Sequence, residues 1–274
     1  MTVPGPKMLS EEKALEMLNA IMQSDVDACY KEAILSLANE NGEIQVEDTY
    51  EISARLAFCN PKETLPAIVS EFVSLAFLDE IENDNDAAMV DLGSLYYTGR
   101  IGEQNYTEAI KYYKMADACG NLIASENLGY CYYYGRDVEV DYKAAYHYFI
   151  KPALAGRLES MYKIGDMYAK GLYVNQDEGM AFTLYEKAYQ SIDDGCDVVG
   201  DICLRMGNCF YYGTGCERDI QTALFFYQRS ELFYYTQLKN GDFFKRKMLD
   251  GVIEKIEKIR EELKNEIEPV DFYD

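Results

Sequence analysis

A single histidine, eight cysteines and several tyrosine-dense octets are the residues here whose types could do chemistry. His147 could act as a general base only with a serine or cysteine nucleophile in hydrogen-bond reach. It stands instead between Tyr146 and Tyr148 with no nucleophile motif nearby, and reads as a surface or groove-lining helix residue. Cys196, Cys203, Cys209 and Cys216 cluster, but no CxxC occurs and no histidine lies near, so the spacing does not suit zinc. The acidic runs ENDND and DDGCDVVGD hold carboxylates of the kind calcium takes, yet neither has the glycine and distal glutamate of an EF-hand loop, and both read as solvated turns. No glycine-rich phosphate cradle precedes a helix. The expectation is therefore no catalytic residue, no metal and no cofactor. What remains is aromatic chemistry. LGYCYYYG, residues 128–135, places four tyrosines in eight positions. Such rings offer apolar area, hydroxyls and faces that attract cations.

The formal net charge of −22 over 274 residues narrows the partners. So acidic a surface repels phosphate backbones and anionic lipid headgroups, which argues against nucleic acid and membranes. It leaves solubility alone, or basic protein faces drawn in by long-range attraction. The first residues lack the basic-then-apolar pattern of a secretory signal. The most apolar run, AIVSEFVSLAFL, is broken by Glu71 and is too short to span a bilayer. A soluble cytoplasmic protein with free thiols is expected.

The elements that would position the tyrosines come from a repeat. LGSLYYTG, LGYCYYYG, IGDMYAKG and MGNCFYYG begin 36, 36 and 42 residues apart, at Leu92, Leu128, Ile164 and Met206. Each is followed by a second piece, opening at Asn105, Asp141, Asp177 or Asp219. Leu92, Leu95, Tyr96 and Gly99 recur at helical steps, and so do Ala109, Tyr112, Tyr113 and Ala116. Gly99, Gly135, Gly171 and Gly213 suit left-handed helix ends, while the Asn and Asp residues suit N-caps. Small residues at Gly93, Gly129, Gly165 and Gly207, facing Ala109, Ala145, Ala181 and Ala223, would let two helices approach closely. A hairpin of this kind cannot bury its own apolar face and must stack on neighbours. Cys131 and Cys209 share a register with Leu95 and Met167, and Tyr132 shares one with Tyr96, Tyr168 and Phe210; both registers read as core.

This pattern resembles the Sel-one-like repeat, a longer-looped relative of the tetratricopeptide repeat, over about residues 87–233. The resemblance implies an all-α fold, a right-handed α-solenoid of stacked helical hairpins with helical N- and C-terminal caps. The chain divides into a flexible start (1–8), an N-terminal helical cap or degenerate repeat (9–82) and four repeats (83–233). C-terminal capping helices (234–268) and an acidic tail (269–274) complete it. Pro152, and an extension around SIDDGCDVVGD in the third repeat, are expected to disturb the regularity. Leu249, Val252, Ile256, Ile259 and Leu263 recur at three- and four-residue steps, as a capping helix or a coiled-coil seam would.

In tetratricopeptide-like hairpins the first helix lines a concave groove, and the resemblance carries that rule over. It selects Val90, Ser94, Tyr97 and Thr98, then Glu126, Tyr130, Tyr133 and Tyr134. From the later repeats it selects Glu159, Tyr162, Asp166 and Lys170, then Asp201, Leu204, Asn208, Tyr211 and Tyr212. The expectation is a non-enzymatic scaffold that holds a peptide or protein segment with basic or amide-rich side chains. The alternatives are a hydrolase or binder of cell-wall-type ligands, as credited to some members of the family, or a structural spacer dimerising through its C-terminal helix. A monomer is favoured.

Overall fold

Asn105, Asp177 and Asp219 cap the second helices of three repeats, their side chains accepting from the backbone N–H groups of Glu108, Met180 and Thr222. Each cap contributes about 1 kcal/mol. The first helices stop at Gly99, Gly135, Gly171 and Gly213, whose φ values of 71, 66, 66 and 70° an L side chain adopts reluctantly. The turn is closed from the far side as well. The N–H groups of Asn105, Asp141, Asp177 and Asp219 return to the carbonyls of Tyr96, Tyr132, Tyr168 and Phe210 at 2.9–3.0 Å.

The computed structural model describes residues 9–44, 46, 49–60, 63–193 and 195–266. The flexible start, the acidic tail at 269–274 and Pro61 lie outside them. Two compact units divide the chain after Asp141. The first holds α1 (Glu11–Gln23), α2 (Ala28–Leu35), α3 (Thr49–Phe58), α4 (Ala67–Glu82), α5 (Asp86–Thr98), α6 (Tyr106–Ala118) and α7 (Leu122–Tyr134). The second holds α8 (Tyr142–Leu154), α9 (Leu158–Lys170), α10 (Glu178–Gln190), α11 (Val199–Tyr212), α12 (Ile220–Lys239), a 3-10 turn (Phe243–Lys245) and α13 (Arg246–Glu266). No strand forms among the described residues, apart from an isolated bridge between Ala38 and Ile44. The fold is an all-α solenoid of helical hairpins. The pairs α3–α4, α5–α6, α9–α10 and α11–α12 each pack against one another, and α4 continues onto α5. The two helices of the second repeat, α7 and α8, belong to different units.

The pairs α5–α6, α9–α10 and α11–α12 each close on a glycine. A Cβ at Gly93, Gly165 or Gly207 would lie 2.7, 2.6 or 2.6 Å from the ring of Tyr113, Tyr185 or Tyr227. The ring thus occupies the space a side chain would need. Leu95, Cys131, Met167 and Cys209 are all buried, as their shared register predicts. Burial pushes the Cys131 and Cys209 thiols up to about 12, so both behave as small hydrophobes.

Three details differ from the sequence expectation. Tyr96, Tyr132, Tyr168 and Phe210 are half-buried, because their rings lie along the hairpin seam and stack sideways, Tyr96 on Tyr112 at 5.8 Å and Phe210 on Phe226 at 5.7 Å. Pro152 does not break α8; it lies in the last turn, where few later residues depend on the ladder it interrupts. The boundary drawn between residues 233 and 234 falls inside α12, which runs unbroken to Lys239. Its extra turns support α13, whose Leu249, Val252, Ile256 and Ile259 are buried in one cluster with Tyr211, Tyr227 and Tyr234 of the same chain. No helix among the described residues is long and apolar enough to cross a membrane.

Candidate functional site

The tyrosines that pack on glycine also reach one residue further. Tyr113 Oη lies 3.2 Å from Ser94 Oγ, Tyr185 donates to Asp166 Oδ1 at 2.8 Å, and Tyr227 donates to Asn208 Oδ1 at 2.8 Å. The arrangement occurs once more out of register, where the Tyr234 ring covers Gly200 and its hydroxyl donates to Asp201 Oδ1 at 3.1 Å. Ser94, Asp166, Asn208 and Asp201, chosen as groove residues, are therefore held by helix-to-helix clasps. The second repeat has Phe149 in place of the tyrosine and so no hydroxyl to give.

In the second unit the carboxylates carry a further load. Arg205 of α11 grips Asp166 of α9 with Nε and Nη2, both at 2.6 Å, and its Nη1 donates to the Asp201 carbonyl at 2.8 Å. The guanidinium lies 4.2 Å from the centre of the buried Tyr162 ring. Burial opposes the charge on Asp166, but Arg205 and its hydrogen bonds hold the carboxyl below the usual carboxylate range. Burial likewise opposes the charge of Arg205, yet Asp166 raises its pKa well above the ordinary value. Lys245, just before α13, pairs with Asp201 Oδ2 at 2.7 Å. A cleft of 290 Å³ lies beside this network, lined by Asp166, Lys170, Leu204, Arg205, Asn208 and Met248 among others.

The tyrosines at the end of α11 face α13. The Tyr211 hydroxyl donates to Glu262, which also pairs with Arg218 at 3.0 Å. Lys258 stands 5.3 Å over the Tyr211 ring, and Lys255 lies 5.5 Å from the Tyr212 ring. The bond to Glu262, with burial second, raises the Tyr211 pKa. Tyr211 is buried, whereas Tyr212 is 58% exposed.

The first unit shows a smaller version. Arg136, from the turn after α7, sits 5.5 Å over the Tyr106 ring and 5.8 Å over the Tyr134 ring, and its charge acts on Tyr97. Tyr97 meets Tyr106 edge-on at 4.9 Å, and Tyr130 stacks on Tyr134 at 6.1 Å. Burial raises the Tyr97 pKa against the pull of Arg136. Tyr133 is buried and Tyr134 is 48% exposed. Val90 is buried, Glu126 is 1% exposed, and Glu159 is half-buried.

An open acidic wall was the expectation, and its best-placed carboxylates are instead spent inside the chain. Asp166 and Asp201 are neutralised by Arg205 and Lys245, and Glu126 is covered. The cations that do this were not singled out from sequence. A signal existed, since Arg205 and Lys163 share the register two residues before the glycine, one residue type apart. His147 is exposed on α8, with the Tyr146 and Tyr173 rings at 6.1 and 5.7 Å. No group of three or more His, Cys, Asp or Glu among the described residues could hold a metal.

The Sel1 repeat family model matches residues 86–121, 123–156, 158–192 and 202–230. Two solved structures are similar in fold. A Sel1 repeat protein from Oxalobacter formigenes has a TM-score of 0.60 and 20% identity, over 97% of this chain and 99% of that one. The other is c5321, a protective antigen of uropathogenic Escherichia coli strains displaying an SLR fold. It has a TM-score of 0.57 and 25% identity over 80% of this chain, which spans 42% of that protein's length. No curated protein matches the chain.

Proposed function

We propose that this chain, which belongs to the Sel1-repeat family, is a non-enzymatic scaffold that holds a peptide or protein segment against the tyrosine-rich faces of its first helices. Sel1-repeat proteins generally mediate protein–protein interactions. The observation that carries the finer reading is a matched pair of exposed rings, Tyr134 at the end of α7 and Tyr212 at the end of α11. Each is braced edge-on by a buried neighbour, Tyr133 at 4.9 Å and Tyr211 at 4.8 Å. A ring fixed in this way binds with little rotamer entropy left to lose. The segment it suits carries basic or amide-rich side chains, drawn in by the net charge of −22 and anchored on the rings.

The discriminating substitutions are Tyr134→Ala and Tyr212→Ala. Tyr133 and Tyr211 are buried, so replacing them would disturb packing together with binding. Peptides selected from a displayed library on the wild-type protein are expected to lose about tenfold in Kd or more against each variant, with unchanged far-ultraviolet circular dichroism. Equal affinity for wild type and both variants would remove the aromatic faces as the binding site.

A further inference from the structure

Two cysteines outside the repeats have no part in the reading above, and they touch. Cys29 opens α2 and Cys59 follows the end of α3, with their Sγ atoms 3.5 Å apart. Both are half-buried and line a cleft of 490 Å³ together with Glu32, Ser36, Arg55 and Phe58. The frame around them is built. Buried Arg100, beyond α5, donates to the carbonyls of Ala57, Asn60 and Glu63, which fixes the backbone on both sides of Cys59. Arg55 of α3 bridges to Ser36 beyond α2 at 3.0 Å, holding the two helices in register. Cys131, Cys203 and Cys209, by contrast, are buried in the core of the repeats.

We propose that Cys29 and Cys59 form a redox-active dithiol that a low-molecular-weight disulfide of the glutathione class converts to an internal disulfide tying α2 to α3. Bond formation brings the sulfurs from 3.5 Å to about 2.05 Å. Either sulfur can open the exchange, since the two touch and line the same cleft. One of the two cysteines, as thiolate, attacks one sulfur of the external disulfide, making a mixed disulfide and expelling one thiolate. The other cysteine gives up its proton and attacks the first one's sulfur, forming the protein S–S bond and expelling the second thiolate. The two protein protons end on the two released thiols, and two electrons pass from the protein to the external disulfide.

The test uses the full-length reduced protein, treated with glutathione disulfide, alkylated, digested with trypsin and analysed by mass spectrometry. The expected principal product is peptide 14–31 linked to peptide 56–62, with exposed Cys119 as the reference for unassisted reaction. Oxidised wild type should melt several degrees above its reduced form, because a cross-link restricts the unfolded chain. Cys29→Ser and Cys59→Ser should each abolish both effects and leave glutathione trapped on the remaining cysteine of the pair. The proposal is overturned if glutathione stays on Cys29 or Cys59 of the wild type without a link. It is equally overturned if the link joins other cysteines, or if neither of the two reacts while Cys119 does.

Discussion

Two residues before the glycine of the Leu-Gly or equivalent pair, the first unit carries Asp91 and the second carries Arg205. The register is the same and the electrostatics are opposite. Asp91 accepts a hydrogen bond from the Tyr50 hydroxyl at 2.9 Å, and burial raises its pKa, because a neutral donor compensates little of the cost of its charge. Arg205 meets a buried carboxylate, Asp166, whose pKa the pairing lowers despite burial. Acidification should therefore act on the two units in opposite senses. The first helices of successive hairpins can thus be joined by a hydrogen bond from a neutral donor or by an ion pair, and only the second makes charge a requirement of the fold.

Removing the cation should break the comparison most severely. Arg205→Met leaves Asp166 charged and buried without its partner, and is expected to cost about 3–5 kcal/mol in urea unfolding. Because the folded Asp166 pKa is depressed, the stability it confers is complete above the ordinary carboxylate pKa. That stability fades as pH falls through the lowered folded value, while in the variant burial favours protonated Asp166, so the gap should begin to narrow in mild acid and close in strong acid.

The tyrosine clasps offer a finer test. Tyr185→Phe removes a hydrogen bond to a charged acceptor and should cost about 1.5–3 kcal/mol. Tyr113→Phe removes only the contact with Ser94 and should cost about 0.5–1.5 kcal/mol. Losses near zero in both would mean that the ring contacts with Gly165 and Gly93, not the hydroxyls, set the energetics.

The smallest effect is expected at Asp91→Asn, a gain under about 1 kcal/mol at pH 7 by thermal or urea unfolding. The raised folded pKa of Asp91 means the wild type suffers its penalty only when the group is charged. The gain should thus disappear as pH falls below the ordinary carboxylate pKa. A loss instead of a gain would show that the charge of Asp91 is needed where it stands.

Much of the hairpin was readable from residue type alone. Gly99, Gly135, Gly171 and Gly213 end helices, and Asn105, Asp177 and Asp219 begin them, because cap chemistry depends on the backbone of the next few residues. The close approach at Gly93, Gly165 and Gly207 was legible for a related reason, a missing side chain recurring at a fixed interval. The candidate site was less legible. Spacing placed Asp166, Asp201, Tyr211 and Tyr212 on first helices, but it could not say which of them the chain would use itself.

Local sequence therefore determined the repeat, its caps and the small residues that let its helices meet, since each rests on interactions within a few residues or on one strict period. Tertiary structure alone decided that Arg205 closes on Asp166, that α13 covers Tyr211 while Tyr212 stays exposed, and that Cys29 meets Cys59. Those partners stand 30 to 51 residues apart. Whether they touch depends on the phase and crossing of packed helices, which no single stretch of sequence encodes.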